Sequence, residues 1–366
     1  IVPLDKPNTT DFVSFYAAGA LADAGTPALA YDQAAHLAAE EAVVGRGIEY
    51  QFFNYPPVYQ ALFMPISRLP YLAAFIGFET ATLLLYLAVA RRILGDYGGT
   101  ALLALIAFPM VWWNIGLGQN AFLTAALFGA ATLLVDRRPG LAGICFGALC
   151  YKPHFAVLVP LALAAGGHWR VIAAAAATAA VLIALSVAVL GWATWQAFFI
   201  TAGTSHSMYE SGRILFAGFV SPFGAVRLLG GGIALGYAVQ AVFAIVAAAI
   251  VAIVWWRGAS LPARAAVLAS ASLIASPVSL LYDLMLGTIA ACWLLRDGGR
   301  APGWEKAVVA VMYVFLLGSR YFAETISLPV NTIVATSLLA MATRRAWREF
   351  GFTAPWRQQP DATPSR

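Results

Sequence analysis

The chain has 366 residues, of which 61% are hydrophobic and 11% charged, with a mean hydropathy of +0.78 and a formal net charge of +5. Soluble domains carry about 25% charged residues, so this composition excludes an ordinary globular protein and points to an integral membrane protein. The positive balance then bears on topology, and no nucleic-acid partner is expected.

The first stretch is the only long one not built for lipid. Seven of the seventeen acidic residues fall between Asp5 and Glu49, and residues 1–70 read as an external polar loop of short interfacial helices. Tyr16 to Ala24 is rich in alanine and glycine and apolar enough to lie against a membrane. Asp32 to Val44 predicts a short helix, with Asp32, His36 and Glu40 at i, i+4 and i+8 as a polar stripe and Asp32 as its N-cap. Four prolines between Tyr55 and Pro70 predict a broken, re-entrant or interfacial segment. A carboxylate-bearing loop docked on an apolar body is where chemistry at a membrane surface would be done, and Asp11 is the expected centre of that site. The chain starts at Ile1 with no signal peptide in view, and the loop calls for an upstream span to carry it across the membrane.

Eleven apolar runs follow, at roughly 71–92, 99–117, 119–135, 139–151, 153–166, 171–191, 232–256, 261–276, 281–296, 304–320 and 327–343. Several fall short of the ~20 residues of a straight span, and those around Pro153 and Pro277 read as half-helices or paired short spans. Arginines mark every second connection: Arg91-Arg92, Arg137-Arg138, Arg170, Arg257 with Arg264, Arg296 with Arg300, and Arg344-Arg345 with Arg348. The positive-inside rule makes those connections cytoplasmic. The pattern predicts an all-α polytopic membrane protein with about eleven membrane segments over 71–343. A second external loop is expected over 192–231, and a cytoplasmic basic tail over 344–366.

That topology puts Asp11, the Gly118-Gln119-Asn120 turn, Lys152-Pro153-His154, the 192–231 loop, Ser276 to Asp283 and Arg320-Tyr321 on the external side. There is no P-loop, no G-x-G-x-x-G on a strand and no D-x-D pair. The four histidines (His36, His154, His168, His206) have no ligand spacing, so neither a metal nor an organic cofactor is expected. Cys145, Cys150 and Cys292 lie inside apolar runs and read as free thiols. Lys152, one of three lysines, sits in an apolar passage. At a span centre it would cost about 2.5–3.5 kcal/mol. It therefore either snorkels to the interface or faces a partner or wet cavity, where it would hold an anionic lipid head group. Other candidates also carry two readings. Gln119-Asn120 is a plain turn or a pair of hydroxyl ligands, and His206, Glu210 and Arg213 are a solvated loop or part of a site. Asp283 is a helix-dipole partner or a site residue. Arg320 with Glu324 is an exposed i,i+4 pair or a ligand.

Taken in order, Asp11-Phe12 with Phe15-Tyr16, Asn54-Tyr55-Pro56-Pro57, Gly118-Gln119, Lys152-Pro153, and Ser276-Pro277 with Tyr282-Asp283 resemble glycosyltransferase family 87. These are polyprenyl-phosphate-sugar-dependent enzymes of the GT-C superfamily, which includes mannosyl- and arabinosyltransferases of mycobacterial envelopes. The resemblance implies a GT-C-like fold and transfer of a hexose or pentose to a lipid or glycan acceptor. It also implies an active site facing the periplasm from a bacterial inner membrane. In the family an aspartate of the first external loop is the general base, and Asp11 matches it. For that chemistry Lys152, Arg213 and His154 are the expected phosphate ligands, and Tyr55, Gln119, Asn120, His206, Asp283 and Arg320 the sugar or acceptor ligands. One base suffices for a single inverting displacement. Two departures stand out: the family's first span is missing, and Val278 and Ser279 stand at the Ser-Pro turn where a histidine is frequent. A multi-span transporter or flippase and a non-catalytic envelope-assembly scaffold remain alternatives. The first would show internal repeats, and the second needs neither Asp11 nor Lys152. Convergence of Asp11, Lys152 and Gln119 on one cavity is the discriminating feature.

Overall fold

Prolines and glycines cut the apolar sequence into short pieces, and the structure follows those cuts. The computed structural model describes residues 10–95, 98–204, 206–296 and 302–352, the side chains of 98–100, 206, 351 and 352 excepted. The first residues of the expected external loop and the end of the expected basic tail lie outside the described residues. Among the described residues there are nineteen α-helices and no strand beyond one antiparallel bridge, Phe219 to Leu280.

The polar N-terminal region forms α1 (Phe12–Asp23), α2 (Gln33–Val44) and α3 (Pro57–Ile66). Asp32 caps α2 as expected, its Oδ1 accepting from the Ala35 N–H at 2.9 Å. The polar stripe of α2, however, faces inward. His36 and Glu40 are fully buried; His36 Nε2 donates to the Ser14 carbonyl at 3.1 Å, and Glu40 Oε2 accepts from the Gln51 N–H at 3.2 Å. Periodicity marks a face without saying which way it points, and here the backbone of neighbouring segments supplies the partners.

The alanine-rich α1 likewise turns most of its residues toward the protein. It packs into the body against α3, burying Phe12, Val13, Phe15, Ala17 and Ala18. The approach is close enough that a Cβ on Gly19 would stand 2.4 Å from the Phe63 carbonyl oxygen. Phe12 meets the rings of Phe15, Phe63, Tyr71, Phe75 and Phe78 at centroid distances of 5.3–6.4 Å. Burying one such side chain contributes about 1.5–3 kcal/mol, and this cluster fixes α1 beside α4.

The body continues through α4 (Tyr71–Leu94), α5 (Gly98–Ile106), α6 (Pro109–Leu117), α7 (Ala121–Leu134), α8 (Pro139–Ala148), α9 (Val159–Ala165) and α10 (Trp169–Leu190). There follow α11 (Trp192–Thr204), α12 (His206–Glu210), α13 (Pro222–Leu228), α14 (Ile233–Trp256), α15 (Leu261–Ala275) and α16 (Leu284–Leu295). The last are α17 (Gly303–Leu317), α18 (Ser319–Ile326) and α19 (Val330–Phe352). Proline lies in the first turn of α6, α8, α9, α13 and α15, where its missing N–H costs no hydrogen bond. At the centre sits α15, packed by α14, α16 and α19. Its alanines and serines are buried from Ala265 to Ser272, small side chains of the kind that let membrane helices approach closely. By contrast α10 and α14 turn Leu185, Val189, Leu235 and Ile245 outward, the surface that hydrocarbon would cover.

Among the described residues three helices can cross a membrane by length and composition, α4, α10 and α14, or four if α17 and α18, bent by 64°, count as one span. The all-α membrane class stands, but a count of eleven spans does not follow. The run 99–117 breaks at Pro109 into two nine-residue helices, and α7, α15 and α16 have 14, 15 and 12 residues, all short of ~20.

The α1–α3 contact predicts that Gly19→Ala destabilises the protein by about 1–3 kcal/mol through overpacking. Gly77→Ala, on a part of α4 with open space around the added Cβ, should leave thermal unfolding in detergent unchanged or slightly raised. Equal melting of the two variants would contradict the close approach.

Candidate active site

The polar groups meet around the turn between α6 and α7. Gly118 caps α6 in the left-handed region, φ +66°, which glycine adopts without strain. A Cβ there would also lie 2.6 Å from that of Phe12. With the turn this close, the Asp11 N–H donates to the Leu117 carbonyl at 2.8 Å, and Gln119 Nε2 donates to Asp11 Oδ2 at 2.6 Å. Gln119 Oε1 accepts from the Tyr55 hydroxyl at 3.3 Å. The Gln119 amide is therefore oriented, nitrogen toward the acid and oxygen toward the phenol.

Asp11 occupies the N-cap position of α1, yet its carboxylate makes no capping bond, which leaves it available to the cleft it borders. The side chain is half-buried. Burial pushes its carboxyl up to about 6, against the opposing pull of the Gln119 hydrogen bond and the Lys152 charge.

Lys152 lies between two 3-10 turns, Leu149–Tyr151 and Pro153–Phe155. Its Nζ donates to Asp283 Oδ1 at 2.7 Å and to Asn120 Oδ1 at 3.1 Å. The rings of Tyr282 and Phe155 flank it at 5.1 and 5.3 Å. The two charged side chains are only 4% and 1% exposed. Asp283 Oδ2 in turn accepts from the Leu280 N–H at 2.9 Å. Lys152 thus does not snorkel, and Asp283 is more than a helix-dipole partner, because each is the other's counter-ion. An ammonium has three N–H bonds; two are engaged, and the third is left for the cleft.

These groups line a cleft of about 280 Å³, together with Glu49 to Phe52, Asn54, Tyr55, Gln119, His154, Tyr209 and Arg213. Arg213 is exposed, its guanidinium 5.0 Å over the Phe52 ring. It has no acidic partner among the described residues. His154 Nε2 is buried without a hydrogen-bond partner there. Burial and the neighbouring Lys152 charge hold its imidazole well below the usual range, which favours the neutral ring over a cation.

Asn120 is fully buried behind Lys152 and does not border the cleft. Arg320 is not a lining residue either: it stands on α18 with its Nε on Glu324 Oε1 at 2.7 Å, both side chains exposed. A local i,i+4 partner satisfies it. The side chain of His206 lies outside the described residues.

Two residues that the sequence reading passed over hold the turn from beneath. Asn114 on α6 is fully buried; its Nδ2 donates to the Gln119 carbonyl at 2.8 Å and to Glu79 Oε2 at 3.1 Å, and its Oδ1 accepts from the Ala121 N–H at 3.1 Å. The signal that could have found Asn114 and Glu79 is the one that marked Lys152, a polar side chain inside an apolar run.

Breaking a buried ion pair from one side leaves an uncompensated charge and costs about 3–5 kcal/mol. Lys152→Met should therefore destabilise the folded protein by that amount, and adding Asp283→Leu should recover much of the loss. A single variant as stable as the wild type in denaturant unfolding would contradict the pairing.

The sequence model of glycosyltransferase family 87 matches residues 52–277. No curated protein and no solved structure matches the chain. The matched segment contains Tyr55, Gln119, Asn120, Lys152 and Arg213, and the fold brings Asp11 and Asp283 from either side of it into the same cleft. With more than half of its length covered, the chain belongs to glycosyltransferase family 87 and is a membrane glycosyltransferase.

Proposed function

We propose that the chain moves a sugar from a polyprenyl-phosphate donor to a hydroxyl of a lipid or glycan acceptor, by one inverting displacement in the Asp11 cleft. The observation that carries this reading is a half-buried carboxylate, raised to about 6 and paired with no cation, across one cleft from Lys152 and Arg213. A pKa near the working pH suits a general base. In the reaction the acceptor oxygen forms a bond to the anomeric carbon as the bond from that carbon to the phosphate oxygen breaks. The acceptor proton passes to Asp11. The leaving phosphate keeps the electron pair, stabilised by Arg213 and the third N–H of Lys152.

Gln119 and Tyr55 act chiefly by holding Asp11 in place, since their polar ends face each other and the carboxylate. Tyr209, His154 and Asp283 border the rest of the cleft, where sugar hydroxyls would be met. The arginines at the far end of α4 and at the α7–α8 turn favour an orientation with the cleft facing the periplasm of a bacterial inner membrane.

Asp11→Asn keeps the shape and the Gln119 contact but removes the base. The variant should insert and bind polyprenyl-phosphate sugar, with transfer slowed by about 10²–10⁴. Transfer at near wild-type rate would place the base elsewhere, with Asp283 next in line. Because the deprotonated carboxylate is the active form, the wild-type rate should fall as pH drops through about 6, and that limb should vanish in the variant. A flat wild-type profile through this range would contradict the assignment.

A further inference from the structure

Two polar side chains of α2, His36 and Glu40, lie one turn apart behind the cleft, both fully excluded from solvent. Each ties the backbone of a different segment. His36 Nε2 is 3.1 Å from the carbonyl of Ser14, in the first turn of the helix that Asp11 starts. A carbonyl only accepts, so this nitrogen carries the ring hydrogen. Glu40 Oε2 accepts from the Gln51 N–H at 3.2 Å, and Gln51 belongs to the stretch 49–52 that forms one wall of the cleft.

The two remaining polar atoms face each other. His36 Nδ1 and Glu40 Oε1 are 3.5 Å apart, and among the described residues neither has a hydrogen-bond partner. Without a proton between them, two lone pairs would meet in a space closed to water, which is unfavourable for both groups. One proton satisfies both. Burial favours its place on the carboxyl: it lowers the imidazole to about 4 and raises the Glu40 carboxyl to about 8, against the Gln51 hydrogen bond and with the help of the Asp11 charge. From α1 it is Asp11 that acts on Glu40, since Tyr16 donates to the Leu69 carbonyl and Asp23 pairs with Arg68. On the other sides stand the phenols of Tyr50, on the wall, and Tyr71, on α4; Asp32 and Arg213 act on Tyr50 with opposite sign. Tyr31, in the 3-10 turn beside α2, donates to the Tyr55 carbonyl, and Glu41 accepts from the Gly47 N–H at 2.8 Å. The rings of Tyr50 and Phe53 close over His36 at 5.6 and 5.9 Å.

We infer that Glu40 is a positioning residue: in its protonated form it donates to His36 Nδ1 and accepts from the Gln51 N–H, and this neutral pair clamps the 49–52 wall of the cleft to the Asp11 end of α1. Its bearing on sugar transfer rests on the reading given for the cleft, whereas the clamp itself needs no substrate. Loss of the proton leaves a carboxylate against an imidazole lone pair and near Asp11, and the wall is released. A carboxyl whose pKa is raised by folding holds its proton more tightly in the folded chain. The stability it carries is complete below the unfolded value and is lost as pH rises through about 8.

The test uses the full chain in detergent and Glu40→Gln, which keeps the shape, an N–H for His36 and an oxygen for Gln51, and cannot ionise. The infrared difference spectrum, wild type minus Glu40→Gln, should show a protonated carboxyl band at pH ~6 that is gone above pH ~9. A carboxylate signal throughout would overturn the neutral pair. In thermal unfolding the wild type should lose stability relative to Glu40→Gln as pH rises through about 8, and parallel curves would overturn the proposal. Hydrogen exchange near neutral pH reads the wall. The Gln51 amide should exchange in Glu40→Gln within about twofold of the wild type, and roughly tenfold faster in Glu40→Ala. Glu41→Ala, which frees the Gly47 N–H of the same stretch, should leave Gln51 unchanged. Equal exchange in Glu40→Gln and Glu40→Ala would overturn the clamp, and if Glu40→Ala does not fold, the infrared and unfolding comparisons decide. Failure of the transfer reading shows separately, in Asp11→Asn, and leaves these readouts unmoved.

Discussion

The left-handed turn at Gly118 sets Gln119 and Asn120 side by side at the end of α6, one reaching toward Asp11 and the other toward Lys152. Through Lys152 the connection continues to Asp283, so residues 11, 119, 152 and 283 meet although they are far apart along the chain. Close packing against Phe12 leaves no room for a side chain at the turn itself. Asn114 holds the turn from below by its links to the Gln119 carbonyl and the Ala121 N–H. A buried polar group without a partner costs about 1–3 kcal/mol. That cost makes the whole constellation depend on the backbone geometry of three residues.

Charge balance then separates two roles. The Lys152–Asp283 pair is nearly excluded from solvent and close to neutral as a unit. Such a pair adds little net stability over an apolar pair of the same shape, but it tolerates no one-sided loss. Among the described lining residues it leaves the carboxylates of Asp11 and Glu49 and the Arg213 guanidinium outside any ion pair, Asp11 half-buried and the other two exposed. The burial that raises the Asp11 pKa also makes it sensitive to anything that wets the cleft, since desolvation is the largest cause of that shift. The glycosyltransferase family is fixed by the match over residues 52–277; the proposed chemistry adds a direction to it, with the proton moving toward Asp11 and negative charge toward the cations.

Much of this was legible in the sequence where the signal is local. The long runs at 71–92, 171–191 and 232–256 became α4, α10 and α14 with ends shifted by no more than two residues, and Asp32 capped α2. The acidic first loop marked Asp11, the Gly118 turn marked Gln119 and a charge inside an apolar passage marked Lys152, and all three border one cleft. What was not legible is long-range. Nothing near Lys152 names a partner 131 positions away, and nothing in α2 says that His36 and Glu40 point at the protein's own backbone. Arg320 carried two readings, a ligand or an exposed i,i+4 pair with Glu324, and the structure places that pair at the surface and not among the cleft's lining residues. The count of eleven membrane segments is not confirmed for a related reason: hydropathy registers an apolar run whether it crosses a bilayer or breaks at a proline such as Pro109.

The most direct test of the central claim is a structure of the protein with a polyprenyl-phosphate sugar bound and an acceptor analogue present. The account predicts the phosphate beside Arg213 and Lys152, the anomeric carbon inside the cleft, and the acceptor oxygen within about 2.6–3.2 Å of an Asp11 carboxylate oxygen. A sugar bound in a different cavity, or an acceptor oxygen facing some other base with Asp11 still bonded only to Gln119, would contradict it.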